Sequence, residues 1–200
     1  VIEYLALTAM VGLFAGLIIR LRRRAARSRR AIASLRAGGW AEIRGCVRGR
    51  ELASDAPISG RRGLGWRVLV EEESGMHGWV PIVDRSEFDD FEVEDKSGSI
   101  RVRASDTPIT LEVAELRGRG GPFAPPPAAV ERLIAEAASP RGVLFHKGFR
   151  WREWVLSEGR EVVVRARVVS VPGEESLGYR QLSEELVLAG GAARPIEVSE

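Results

Sequence analysis

Two hundred residues, 44% hydrophobic and 29% charged, suit one sizeable domain or one domain plus an anchor, and exclude a wholly disordered chain. The formal charge of +2 belongs to one short segment: eight arginines lie between Arg20 and Arg36, whereas 37–200 holds 22 basic and 27 acidic residues, a net −5. An acidic body repels a phosphate backbone and argues against nucleic acid, and the one cysteine, Cys46, with His77 and His146, provides neither a disulfide nor zinc-ligand spacing.

Residues 1–19 read VIEYLALTAMVGLFAGLII, with Glu3 the only charge. At 1.5 Å rise such a helix spans roughly 28 Å, close to a hydrocarbon core of about 30 Å. Glu3 and Tyr4 suit the outer interface. A cleaved signal peptide places its charge before the apolar run. Here Arg20, Arg22, Arg23, Arg24, Arg27, Arg29 and Arg30 follow Ile19, which is the pattern of a stop-transfer anchor. The expectation is an integral protein of an inner or plasma membrane with everything downstream cytoplasmic. The arginines serve topology and interfacial anchoring; recognition of an anionic lipid is the sharper alternative. Thr8, Gly12 and Gly16 form a small-xxx-small ladder, so a homodimer through Gly12 and Gly16 is a further expectation. The helix is predicted to continue as an arginine-rich juxtamembrane extension over 20–39, stopping at Gly38-Gly39.

Residues 40–200 then read as a β-rich domain. Ala41, Ile43 and Val47 alternate with Glu42, Arg44 and Arg48, and Gly45 marks a bulge or barrel bend. Cys46 falls on the polar face, as a spectator thiol more than a reactive one. SDAPISGRRGLG is a loop, GWRVLVEEE and WVPIV a hairpin, and FEVEDKSGSIRVR a second hairpin with Phe91, Val93, Ile100 and Val102 inward. TPITLEVAELRGR adds a strand, and RGRGGPFAPPP reads as loop. Val130, Leu133, Ile134, Ala137 and Ala138 at helical spacing, with Pro127 at the first position, predict one short amphipathic helix. FRWREWVL, SEGR and EVVVRARVVSV read as a third hairpin, and YRQLSEELVLAGG and RPIEVSE as short closing strands. The fold class is mainly β: a small barrel-like or sandwich domain with one short amphipathic helix, behind a long transmembrane helix. Trp40, Trp66, Trp79, Trp151 and Trp154 suit its core, with a partner groove as the alternative.

Hydrolase-nucleophile, phosphate-loop, zinc-protease and dinucleotide signatures are missing from the sequence. Glu71–Glu73 read as a solvated edge, and Asp89-Asp90 lack the spaced oxygens of a calcium loop. No catalytic residue, cofactor or metal is therefore predicted.

The order EIRGCV, SDAPISG with WRVLVEEE, FEVEDKSGSIRV, REWVLSEGREVVVRARV and LVLAGGAARPIEVS resembles the GIDE family, also called the BAM (beside-a-membrane) domain. That domain lies between the two membrane helices of mitochondrial RING-type ubiquitin ligases. The resemblance covers roughly 40–200 and points to Pro57, Ser59, Gly60, Asp95, Gly98, Glu153, Glu158 and Gly159 as motif residues. All but Glu153 have an evident turn role; Glu153 is the expected point of a functional interaction. One cysteine cannot make a RING, so a RING-less, prokaryotic member without ubiquitin transfer is implied. The resemblance also implies a second membrane helix after Glu200, and Val1 suggests a shortened record or a non-standard start. In the ligases the domain faces the intermembrane space; the local arginines argue for the cytoplasmic side here.

The expected function is a membrane-anchored, non-enzymatic interaction module for a protein, peptide or lipid partner. The alternatives are an accessory sensor or recruiter in a ubiquitin-ligase-like or membrane stress system, and an oligonucleotide-binding barrel.

Overall fold

A computed structural model describes residues 31–49, 54–75, 78–104, 107–112, 115–121, 123–137, 148–172, 184–191 and 194–199. The predicted anchor 1–19 and its border, with Tyr4, Gly12, Gly16, Ile19, Arg20, Arg22, Arg23 and Arg24, lie outside the described residues, as do His77 and His146. Among the described residues no helix is long and apolar enough to cross a membrane.

Alternation of apolar and polar residues gives each strand one buried face. Five strands close into a barrel: β1 (Trp40–Arg48), β6 (Phe91–Asp95), β7 (Gly98–Arg103), β12 (Glu184–Ala189) and β11 (Glu161–Pro172), with β11 returning to β1. All pairs are antiparallel except β7 with β12. This is a five-stranded Greek-key barrel, the class that includes oligonucleotide-binding folds. Ile43, Val47, Phe91, Val93, Ile100, Val102, Val162, Val164, Ala166, Val168 and Leu188 fill it. Full burial of each larger aliphatic chain stabilises by about 1.5–3 kcal/mol. Outside the ring, β13 (Ile196–Ser199) pairs with the first part of β11 and carries β8 (Ile109–Leu111) parallel to itself.

The long connections from β1 to β6 and from β7 to β11 leave the barrel at the same end. They build a second sheet, ordered β5 (Gly78–Phe88), β4 (Gly65–Ser74), β10 (Phe149–Leu156) and β9 (Leu116–Gly120). A two-residue pair, β2 (Ser54–Asp55) and β3 (Arg62–Gly63), closes the loop before β4. Helix α1 (Ala128–Ala137) lays Val130, Leu133 and Ile134 on Val68, Val70, Val83, Phe149 and Trp151 of one face of the second sheet. Its start is fixed by the Pro127 carbonyl, which accepts from the N–H groups of Val130 and Glu131 at 2.9 and 3.0 Å.

The opposite end of the barrel receives the N-terminal segment. Asp95 Oδ1 accepts from Ser97 N and Oγ and from Gly98 N, tightening the β6–β7 turn. Its Oδ2 accepts from the Ile32 N–H at 3.0 Å, and the Ala33 N–H donates to Ser97 Oγ at 3.1 Å. Gly38 and Gly39 exchange backbone bonds with Val168. Burial opposes the charge on Asp95, but the donors from Ser97, Ile32 and Gly98 outweigh it and hold the carboxyl below the ordinary aspartate range.

Several sequence expectations are corrected. Within 31–39 the chain forms only a 3₁₀ turn, Ile32–Ser34, flanked by extended Ala31 and Leu35, because its N–H groups go to the Asp95 turn; the predicted helical extension does not include these residues. The β10 and β11 segments are not a hairpin: β10 pairs with β4 and β9, and β11 with barrel strands. The segment TPITLEVAELRGR, read as one strand, gives β8 and β9, and β9 runs on to Gly120 into the stretch RGRGG, also read as loop; Gly118 makes room there for the Trp151 ring, whose Cζ2 would lie 2.2 Å from an added Cβ. The helix stripe is shorter than predicted, since Ala137 is exposed. Trp151 and Trp154 are core residues, Trp66 and Trp79 are half-buried, and Trp40 is exposed beneath the Arg194 guanidinium.

Gly45 is held by close approach: an added Cβ would lie 2.4 Å from the Glu94 carbonyl oxygen. Gly45→Ala should destabilise the full chain by about 1–3 kcal/mol, read as a lowered denaturant midpoint in neutral detergent. Asp95 gives an acid dependence of defined sign. Its lowered folded pKa adds stability above the unfolded value, and that stability is lost as pH falls through the folded one. The midpoint should drop below about pH 4, and drop less in Asp95→Asn.

Candidate functional site

Glu153 lies in the middle of β10 and is fully buried. Its Oε1 accepts from the Ile58 N–H at 2.7 Å and its Oε2 from the Ser59 N–H at 3.0 Å. The loop 56–61 wraps over this carboxylate: Gly60, at φ +68°, donates to the Ala56 carbonyl, and Ser59 Oγ accepts from the Arg61 N–H. Arg61 and Arg160 both reach Glu115, whose own N–H donates to the Glu153 carbonyl. The carboxylate thus replaces a solvent shell for a loop that has almost no secondary structure. The motif residues Pro57, Ser59, Gly60 and Glu153 meet at this one place.

The remaining motif residues do not join them. Asp95 and Gly98 form the turn at the far end of the barrel. Glu158 and Gly159 lie in the β10–β11 turn, where Gly159, at φ +78°, donates to the Val47 carbonyl. Cys46 is half-buried on β1, its Sγ 4.0 Å from the Val47 carbonyl oxygen. None of these positions places a nucleophile beside a base.

The other face of the second sheet carries a site that the sequence reading passed over. Arg117 and Arg119 on β9 stand directly opposite Arg152 and Arg150 on β10. One strand further in, Glu71 stands opposite Arg150 and Leu69 opposite Arg152. Glu71 is buried, not a solvated edge, because β4 is an inner strand of this sheet. Its carboxylate takes Nε and Nη2 of Arg150 at 2.7 Å each, and Nη2 of Arg152 at 3.0 Å. The Arg150 bonds hold Glu71 below the usual carboxylate range despite its burial. The Arg150 guanidinium lies 4.7 Å from the Trp79 ring centroid, and that of Arg119 lies 6.0 Å from it.

Arg117, Gly118, Arg119, Arg150, Trp151 and Arg152 line an open groove of about 420 Å³. Of its four guanidinium groups, those of Arg150 and Arg152 share the Glu71 carboxylate. Arg117 and Arg119 are exposed, and no carboxylate among the described residues pairs with either. Arg152 Nε is buried without a partner. Beyond the end of β9, Phe123 projects fully into solvent from a turn closed by Gly121 and Ala124. The repeats R-G-R and R-W-R carry the signal for this groove, since arginines at i and i+2 share one face of a strand. Residues 117–119 fall in both a predicted strand and a predicted loop, which leaves their face undefined.

The outer wall of the barrel is different. There arginines meet acids in sequence-distant pairs: Arg44 with Glu161, Arg48 with Glu94, Arg165 with Glu42 and Glu197, and Arg101 with Glu185.

No family model, curated protein or solved structure matches this chain.

Replacing Glu153 leaves two buried N–H groups without an acceptor. Glu153→Ala should cost about 2–4 kcal/mol in denaturant unfolding of the full chain, whereas Glu153→Gln, which keeps one acceptor oxygen, should cost less.

Proposed function

We propose that this chain is a membrane-anchored, non-enzymatic interaction module of the GIDE/BAM kind, and that the arginine groove of its second sheet is the surface it presents. The single observation that carries this reading is the concentration of like charge. Directly opposed like charges destabilise a sheet, yet two Arg–Arg pairs stand side by side on β9 and β10 with one carboxylate between them. On the barrel wall, by contrast, Arg44, Arg48 and Arg165 are matched to acids on neighbouring strands. A local arrangement that lowers stability without a structural return is where function is to be sought.

The placement suits a tether. The N-terminal segment meets the barrel at the Asp95–Gly98 turn, and the second sheet is inserted at the other end. The barrel then acts as a spacer between anchor and groove. Inside a ubiquitin-ligase-like or stress assembly the same groove would recruit, leaving chemistry to another chain.

The barrel class favours the oligonucleotide reading, but its wall does not. The outward residues of β6 and β7 include Glu92, Glu94, Arg101 and Arg103, with no aromatic on which a base could stack.

A photocrosslinking side chain placed at Arg119 in native membranes should give discrete protein adducts, and the same side chain at Arg44 on the barrel wall should not. Arg152→Ala should reduce the adduct yield severalfold. Equal labelling from both positions, or none from Arg119, counts against the module reading.

A further inference from the structure

Resting on that reading, we propose that the groove takes an extended acidic segment of a partner protein, which adds as a fifth strand to the free edge at β9. The sheet already contains the contact that such a strand would repeat. Glu71 on β4 neutralises Arg150 across one strand gap through a two-pronged carboxylate–guanidinium pair. Moving outward along the same row, Arg150 is followed by Arg119; in the next row Arg152 is followed by Arg117. Both rows end at the edge on an exposed guanidinium without a carboxylate. An acid on the next strand would stand about 5 Å away across the gap.

The spacing sets the pattern of the partner. Arg117 and Arg119 are two residues apart on a strand, about 6.7 Å. An added strand presents its own i and i+2 side chains on that face at the same separation. Acids at alternate positions meet both arginines; acids three residues apart point to opposite faces, so only one of two neighbouring acids can meet this row. The main chain of β9 supplies the remaining affinity through ladder bonds.

The two edges of the sheet are not equivalent. β5 carries Pro81, which has no N–H to give, and lies beside a register shift at Val70/Glu71. β9 contains no proline and pairs only with β10 among the described residues. The arginines also select against a second copy of this chain, since antiparallel pairing of two β9 strands would oppose guanidinium groups. The second sheet is inserted at the barrel end away from Ile32, where the chain arrives from the proposed anchor, and this favours a protein strand over the headgroups of the proposed membrane.

The test uses the full chain in neutral detergent and a fluorescent peptide alternating glutamate and threonine, read by anisotropy. Comparison peptides have the same number of glutamates placed at every third residue, the alternating pattern with lysine, and the alternating pattern N-methylated at every second residue. Saturable binding of the alternating acidic peptide is expected, at least about tenfold tighter than the third-residue or N-methylated forms. Arg117→Glu with Arg119→Glu should abolish that binding and create binding of the lysine peptide. Both positions are exposed, so the variant retains the fold, and its unfolding midpoint checks this. Equal binding of the alternating and third-residue peptides, an unchanged preference in the double variant, or tighter binding of single-stranded RNA or anionic vesicles at the groove each overturns the proposal. Photocrosslinks at Arg119 without alternating-peptide binding would leave the module reading standing and remove strand addition; loss of both removes the two together.

Discussion

Closure of the barrel by the pairing of β1 with β11 is the constraint from which the rest of this structure follows. Seven register pairs, from Trp40 with Arg167 to Cys46 with Glu161, join segments more than a hundred residues apart. Once they form, the five strands have one interior, and every side chain at alternate positions is committed to it. Gly45 sits at the point where β6 crowds β1, and its missing Cβ lets the wall bend. Closure also dictates the exits. The connections after β1 and after β7 leave at one end, so most of the intervening chain builds a second core there, while β8 returns to the barrel sheet beside β13. That core is the sheet β5–β4–β10–β9 under α1, built from Val68, Val70, Val83, Phe149 and Trp151.

Two buried carboxylates show how the second sheet manages its polar groups. A buried charge is tolerable only when its hydrogen bonds are made. Glu153 meets that condition with backbone donors of Ile58 and Ser59, and thereby orders a loop with only a two-residue strand on each side. Glu71 meets it with the guanidinium groups of Arg150 and Arg152. The outcomes differ. Glu153 is consumed by the fold, whereas Glu71 is too little charge for the arginines around it. The excess appears at the edge, on Arg117 and Arg119, where a strand from outside can reach it. An edge that carries only positive charge resists indiscriminate pairing and admits a complementary strand, so protection from aggregation and selective recognition draw on the same residues.

Much of this protein is determined by its sequence alone. Period-two alternation marks β1, β4, β6, β7 and β11; Asp95–Gly98 closes a hairpin; and the spacing of Val130, Leu133 and Ile134 defines a helix face. The segregation of arginines into 20–36 is likewise plain without coordinates. Alternation, however, states which face a residue occupies and not which strand lies beside it. Partners are chosen by register across long separations, so only the tertiary structure decides that β10 and β11, separated by residues 157–160 alone in a hairpin-like sequence, belong to different sheets. Glycine has the same ambiguity. Gly118 signals a loop until the Trp151 ring that occupies its side-chain space is known. For the carboxylates the missing information is the donor: Glu153 depends on N–H groups 94 and 95 residues away, and Glu71 on guanidinium groups about as distant. Charge, periodicity and turn chemistry are local and legible. Burial and charge balance belong to neighbours brought together by folding, and the arginine groove exists only as such a neighbourhood.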